Sequence, residues 1–138
     1  MNRNSNRPGL VIAAERLLWL SAAIAALFTM TASIGLLPFE IPGVAVVLNV
    51  MTVAFLALSA AHIGRGRNWA RWLLLVFFVL GLLLLLIAVM VAPQVMWLLP
   101  TLVVVFGFTQ CVIQLAALVL VFMPASKNWF RAAAQISA

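Results

Sequence analysis

From Leu73 to Val91 the chain carries no polar side chain at all. Such a run matches the roughly 20 residues a helix needs to cross about 30 Å of hydrocarbon, and it exceeds the length of an ordinary strand. Three further stretches share its character. The predicted spans are therefore residues 17–37, 44–62, 69–91 and 100–123. Composition excludes a water-soluble domain: of 138 residues, 67% are hydrophobic types and 7% are charged, against roughly 25% charged in an ordinary domain. A body of this size has too little interior for so many apolar side chains, and the surplus has to face lipid. The fold class implied is an all-α membrane protein, with four transmembrane helices forming two hairpins and a short amphipathic C-terminal helix. Residues 1–16 and 124–138 read as tails, and the first nine positions read as flexible.

The breaks between spans have local causes. Pro38-Phe39-Glu40-Ile41-Pro42-Gly43 places two prolines, a carboxylate and a glycine together, which stops one helix and starts the next. Gly64 and Gly66 flank Arg65, and Asn68 precedes Trp69, so a glycine stop is followed by an Asn N-cap. Pro93-Gln94 must also mark a reversal, because a helix from Trp69 to Met123 would be about 80 Å long. Pro100 suits the first turn of the fourth helix, which leaves Val95 to Leu99 near the outer interface. The first span is preceded by basic residues, as a secretory signal would be, but its apolar stretch is long for a signal; it is expected to stay as a helix.

Charge fixes the orientation. The eight Lys and Arg outnumber two Asp and Glu, for a net charge of +6. Arg3, Arg7 and Arg16 precede the first span, Arg65, Arg67 and Arg71 follow the second, and Lys127 and Arg131 follow the fourth. All fall on one face. The positive-inside rule puts that face, with both tails, in the cytoplasm. Trp19, Trp69, Trp72 and Trp129 map to the same boundary and Trp97 to the other, as interfacial indoles do. Basic residues at the edges of apolar runs point to anionic headgroups rather than nucleic acid. Arg65, Arg67, Arg71, Lys127 and Arg131 are the candidate contacts with anionic lipid; the plainer reading is that they set topology.

Arg67-Asn68-Trp69-Ala70-Arg71 recurs as Lys127-Asn128-Trp129-Phe130-Arg131. Each copy follows a helical hairpin, so the chain reads either as a tandem duplication or as two helix starts that meet the same interfacial demands. The second copy predicts an amphipathic helix over 126–136 along the inner leaflet, with Trp129 and Phe130 dipping into lipid.

The Gly66-Arg67-Asn68-Trp69-Ala70-Arg71 loop, Gln114-Leu115-Ala116-Ala117-Leu118 in the fourth span, and Trp129-Phe130-Arg131 after Pro124 resemble a group of small bacterial four-span membrane proteins. The resemblance covers roughly the second half of the chain. It implies a bacterial inner membrane and a four-helix architecture, and it supplies no activity or catalytic residues.

Polar side chains inside spans turn toward other helices, so their positions predict packing. Ser21, Ala25, Thr29 and Ser33 form a stripe of small residues on the first span. Asn49, Thr52, Ser59 and His62 share roughly one face of the second, and Gln110 and Gln114 one face of the fourth. From Leu73 to Val91 the third span has none, and it is expected to be the most lipid-exposed. Counting from the outer boundary sets Asn49 level with Ser33, Thr52 with Thr29 and Gln110, and Ser59 with Ser21 and Gln114. An interhelical polar seam of Ser21, Thr29, Ser33, Asn49, Thr52, Ser59, Gln110 and Gln114 follows. The alternative role for the two glutamines is to line a solute path.

No catalytic, cofactor or metal residues are expected. Glu15 and Glu40 are predicted on opposite sides of the membrane, which denies them paired acid and base work. Gly64-Arg65-Gly66-Arg67 lacks the spacing of a phosphate loop. His62 has no neighbouring ligand, and Cys111 stands alone in an apolar run. Glu15 in the first helix invites comparison with small four-helix multidrug exporters, but Arg16 follows it and the charges are one-sided. It is expected to pair with Arg16 or cap the interface. The sequence thus predicts a non-enzymatic inner-membrane component that engages anionic lipid, a copy of itself or a membrane-protein partner. A small oligomeric channel or transporter is the alternative.

Overall fold

A computed structural model describes residues 7–37, 43–91 and 99–136. Among them are five helices: α1 Gly9–Ser33, α2 Gly43–Gly64, α3 Asn68–Val91, α4 Thr101–Phe122 and α5 Pro124–Ile136. There is no strand among the described residues. The first four helices are each long and apolar enough to cross a membrane. The expected turn at 38–42, the Pro93-Gln94 break, Val95 to Leu98 with Trp97, and Arg3 lie outside the described residues.

Two glycines end helices in the same way. Gly35 has φ +72° and Gly66 has φ +77°, a left-handed conformation that only glycine adopts without strain. At the first, the Leu36 N–H donates to the Thr31 carbonyl at 3.1 Å and the Gly35 N–H to Ala32 at 3.3 Å; at the second, Arg67 donates to His62 at 3.1 Å and Gly66 to Ile63 at 2.9 Å. Both are Schellman caps, which satisfy carbonyls that the helix itself leaves unpaired. Gly35 thus stops α1 at Ser33, before the prolines that the sequence suggested.

The other end of α1 also differs from expectation. The helix begins at Gly9, directly after Pro8, so much of the segment read as a tail over 1–16 is helical. Glu15 and Arg16 had suggested a boundary at Leu17. The charge at Glu15 is tolerated because Arg7 Nη1 lies 3.1 Å from its carboxylate. Val11 and Ala14, one and two turns inside the new start, are fully buried.

The four long helices form a ring. α1 packs against α2 most extensively and against α4 next, while α3 touches α2 and α4 more lightly. Small side chains explain the close neighbours: Ala14, Ser21, Ala22 and Ala25 of α1, Ser59 and Ala60 of α2, and Ala117 of α4 are all buried, and small residues let helix backbones approach in lipid. Two stacked aromatic pairs join the ring further out. Phe28 meets Phe106 at 4.1 Å between centroids, and Phe55 meets Phe77 at 3.8 Å.

The core is concentrated at the end where α1 and α3 start and α2 and α4 finish. Val11, Leu18, Leu56, Ile63, Leu74 and Val121 meet there. Toward the opposite end the helices carry mostly exposed apolar residues, among them Val44, Leu48 and Met51 of α2, Leu82 to Ile87 of α3, and Val105 and Phe108 of α4. Among its described side chains, α3 buries only Ala70, Arg71 and Leu74. It is the most exposed of the four long helices, in keeping with its apolar run from Leu73 to Val91.

Candidate functional site

α5 closes the packed end of the bundle. α4 stops at Phe122, Met123 is extended (φ −59°, ψ 149°), and Pro124 opens α5, a position where its missing N–H costs nothing. Ser126 Oγ then donates to the Leu120 carbonyl at 2.7 Å. One helical turn later Phe130 enters the core and is 0% exposed. α5 contacts α1, α3 and α4. The expectation that Phe130 dips into lipid is therefore corrected. Its ring finds a ready apolar pocket among the helix ends, nearer than any acyl chain, while Trp129 stays half-buried beside it at 5.0 Å.

Beneath this cap lies Arg71, only 6% exposed. The Gly66 turn starts α3 at Asn68, and helical spacing then sends Ala70, Arg71 and Leu74 inward. Its guanidinium carbon is 5.6 Å from the Phe122 ring centre and 5.3 Å from that of Phe130. Both distances are within cation–π range. Trp72 sits edge-on to Phe122 at 5.4 Å. Arg71 Nε and Nη1 are sealed from the surface with no hydrogen-bond partner among the described residues. Arg131 is close enough for its charge to act on Arg71. Of the five basic residues singled out, Arg65, Arg67, Lys127 and Arg131 are exposed and Arg71 alone is buried. The two copies of the basic-Asn-Trp-x-Arg segment thus meet, with Arg71 of the first against Phe130 of the second.

The polar residues of the spans are arranged more locally than the sequence suggested. Ser21 Oγ donates to Gln110 Oε1, and Gln110 Nε2 donates back to the Ser21 carbonyl at 2.9 Å. Both partners are buried, and they join α1 to α4 near the middle of each helix. Most of the remaining hydroxyls turn back on their own helix: Thr29 to the Ala25 carbonyl at 2.8 Å, Ser33 to Thr29 at 2.8 Å and Thr52 to Leu48 at 2.9 Å. Ser59 is buried with no partner among the described residues. Asn49 and Gln114 are half-buried and form no interhelical hydrogen bond with the described residues. Gln110 had been set level with Thr29, and Ser21 with Gln114. The register differs because α1 both starts and ends several residues earlier than hydropathy placed it, which makes Ser21 its middle residue.

Glu15 accepts a hydrogen bond from Arg7 Nη1 at 3.1 Å rather than pairing with Arg16, which is exposed. Its carboxylate packs on Gly64 so tightly that a Cβ there would lie 2.5 Å from Oε1. His62 donates through Nδ1 to the Leu58 carbonyl at 2.8 Å, and its ring tilts against Trp69 at 5.0 Å. No group of three His, Cys, Asp or Glu that could hold a metal occurs among the described residues.

Sequence reasoning gave Arg71 no special place among the basic residues and missed the rings of Phe122 and Phe130. The repeated segment was the available signal, since a motif that recurs at two helix starts on one face can bring its copies together. The four apolar helices make this an integral membrane protein. The chain matches no family model, no curated protein and no solved structure.

Proposed function

We propose that this is a non-enzymatic component of a bacterial inner membrane, with α5 and the start of α1 on the cytoplasmic side, acting through its surface on anionic lipid, on a copy of itself or on a membrane-protein partner. The observation that carries this reading is the separation of polar from apolar material. The basic residues gather at one end around the α5 cap, whereas the hydroxyls of Thr29, Ser33 and Thr52 are spent on their own helix backbones. A solute path would need such groups turned to a common lumen. Intramembrane ionisable residues that mark pumps and relays are likewise missing from the sequence between Leu73 and Val91 and between Thr101 and Met123. The bacterial source and inner membrane rest on the resemblance of the second half of the chain, and the orientation rests on the positive-inside rule.

One feature favours the second reading, a small oligomeric channel or transporter: the Ser21–Gln110 pair puts hydrogen-bonding groups near the middle of the bundle. Cross-linking in native membranes followed by mass spectrometry tests the first reading and is expected to recover a discrete partner or a self-adduct. Saturable solute flux into reconstituted vesicles, abolished by Gln110→Leu or Asn49→Leu, would replace it with the second.

A further inference from the structure

The basic residues at the packed end do not all have the same surroundings. Exposed arginines and lysines at a membrane surface are solvated and need no partner. Arg71 is different: it is 6% exposed, and two of its guanidinium nitrogens have no acceptor among the described residues. Buried cationic donors are normally paired, because burial removes the water that would otherwise bond them. The chain has two acidic residues in all. Glu15 is held by Arg7, and Glu40 lies outside the described residues. The neighbour that does approach, Arg131, has the same sign.

We infer that the junction of the two basic-Asn-Trp-x-Arg segments is a phosphate site, in which Arg71, clamped by Phe122 and Phe130, binds the phosphate of an anionic group whose charge also offsets the repulsion between Arg71 and Arg131. This rests on the reading of the basic end as a lipid-facing surface, and it assigns that reading to one position. The aromatic rings engage the guanidinium while the unpaired N–H groups remain for acceptors in its plane. Two oxygens of one phosphate match that planar fork, which an ammonium group cannot offer. Each of those oxygens keeps a second lone pair that can accept from Arg131. Since Nε and Nη1 are sealed, the ligand seats under α5 rather than on the rim. Entry of the ligand requires α5 to lift, and the joint for that movement is Met123, the extended residue between α4 and α5.

The test uses the purified full chain in neutral detergent, with thermal unfolding and native mass spectrometry as readouts. Phosphatidylglycerol, phosphatidylcholine and inorganic phosphate are added separately. Phosphatidylglycerol is expected to raise the Tm by several degrees and to remain bound, with phosphatidylcholine at least fivefold less effective. Arg71→Lys, which keeps the charge and removes the fork, is expected to lose most of this effect, and Arg16→Gln, at an exposed cation outside the candidate lipid contacts, to retain it. Stabilisation by inorganic phosphate alone supports the site and assigns it to a soluble ligand; stabilisation by the lipid assigns it to a headgroup. If Arg71→Lys does not fold, Arg131→Gln at the exposed neighbour is expected to weaken retention in its place. The inference fails if neither phosphate source stabilises the wild-type chain, if Arg71→Lys responds fully, or if Arg16→Gln loses as much as Arg71→Lys. Solute flux would overturn the proposed function while leaving Arg71-dependent retention intact, so the two failures are separable.

Discussion

At the scale of single residues, polar atoms in this bundle are either satisfied locally or pointedly unsatisfied. Ser59 belongs to the second kind, a buried hydroxyl with no partner among the described residues. Removing a buried unpaired group relieves its desolvation cost, so Ser59→Ala is expected to be neutral or stabilising by up to about 1–3 kcal/mol, as thermal unfolding in detergent would show. A reproducible loss would mean that the hydroxyl has a partner in the membrane. Gly64 is constrained by space instead. An alanine Cβ would meet Glu15 Oε1 at 2.5 Å, but that carboxylate is the far end of a flexible side chain and can swing aside at the expense of its ion pair with Arg7. The pair is part-buried, with 24% of each side chain exposed, and losing it costs on the order of 1 kcal/mol. Gly64→Ala is accordingly expected to cost no more than that, and to cost nothing measurable in a Glu15→Ala background, a coupling that a double-mutant cycle reads directly.

At the scale of helices, pairing is decided by small residues and a few specific contacts. The Ser21–Gln110 contact is the interhelical side-chain hydrogen bond that links α1 to α4 among the described residues. Gln110→Leu is expected to lower stability by about 0.6–2 kcal/mol, the range found for such contacts in membranes. Gln114→Leu, one turn away, is expected to change it much less. Equal losses at the two positions would indicate that Gln114 carries an interhelical bond as well. α5 depends on Phe130, whose ring is fully buried. Truncating a buried Phe costs about 3–5 kcal/mol, and Trp129, which also packs against the core from α5, is only half-buried. Phe130→Ala is therefore expected to release α5 while the four long helices persist, seen as rapid proteolysis after Lys127 with unchanged helical content otherwise. Resistance equal to that of the wild type would show that Ser126 and Trp129 suffice.

For the whole molecule, the ring is tight at its basic end and more open toward the other. Core packing, the α5 cap and the Arg7–Glu15 pair all lie at the tight end. Exposed apolar residues dominate the rest, a surface that lipid or another protein must cover. The up-and-down course of α1 to α4 puts the start of α3 and the end of α4 together, so Arg67 and Lys127 share a face. With Cys111 replaced by alanine, single cysteines introduced as Arg67→Cys and Lys127→Cys are expected to react with an impermeant thiol reagent from the same side, and only after the cytoplasmic face is opened. Labelling from opposite sides would contradict the bundle itself.

How far the sequence reaches follows from which forces act locally. Transfer from water to hydrocarbon acts on each residue independently, so a window of sequence suffices to find the helices, to predict α3 as the barest of them and to collect the cations on one face. Chain-reversing glycines are nearly as legible, and Gly66 ends α2 as its position suggested. Register is another matter. Ser21 meets Gln110 because α1 slides until Ala22, Ala25 and Phe28 fit their neighbours, and that fit depends on side chains far away in sequence. The same holds at the basic end: eight cations look alike by charge and position, and only the return of α5 buries Arg71 against Phe122 and Phe130. Hydropathy is a sum over single residues and is written into the chain; packing is a property of pairs, and folding alone chooses them.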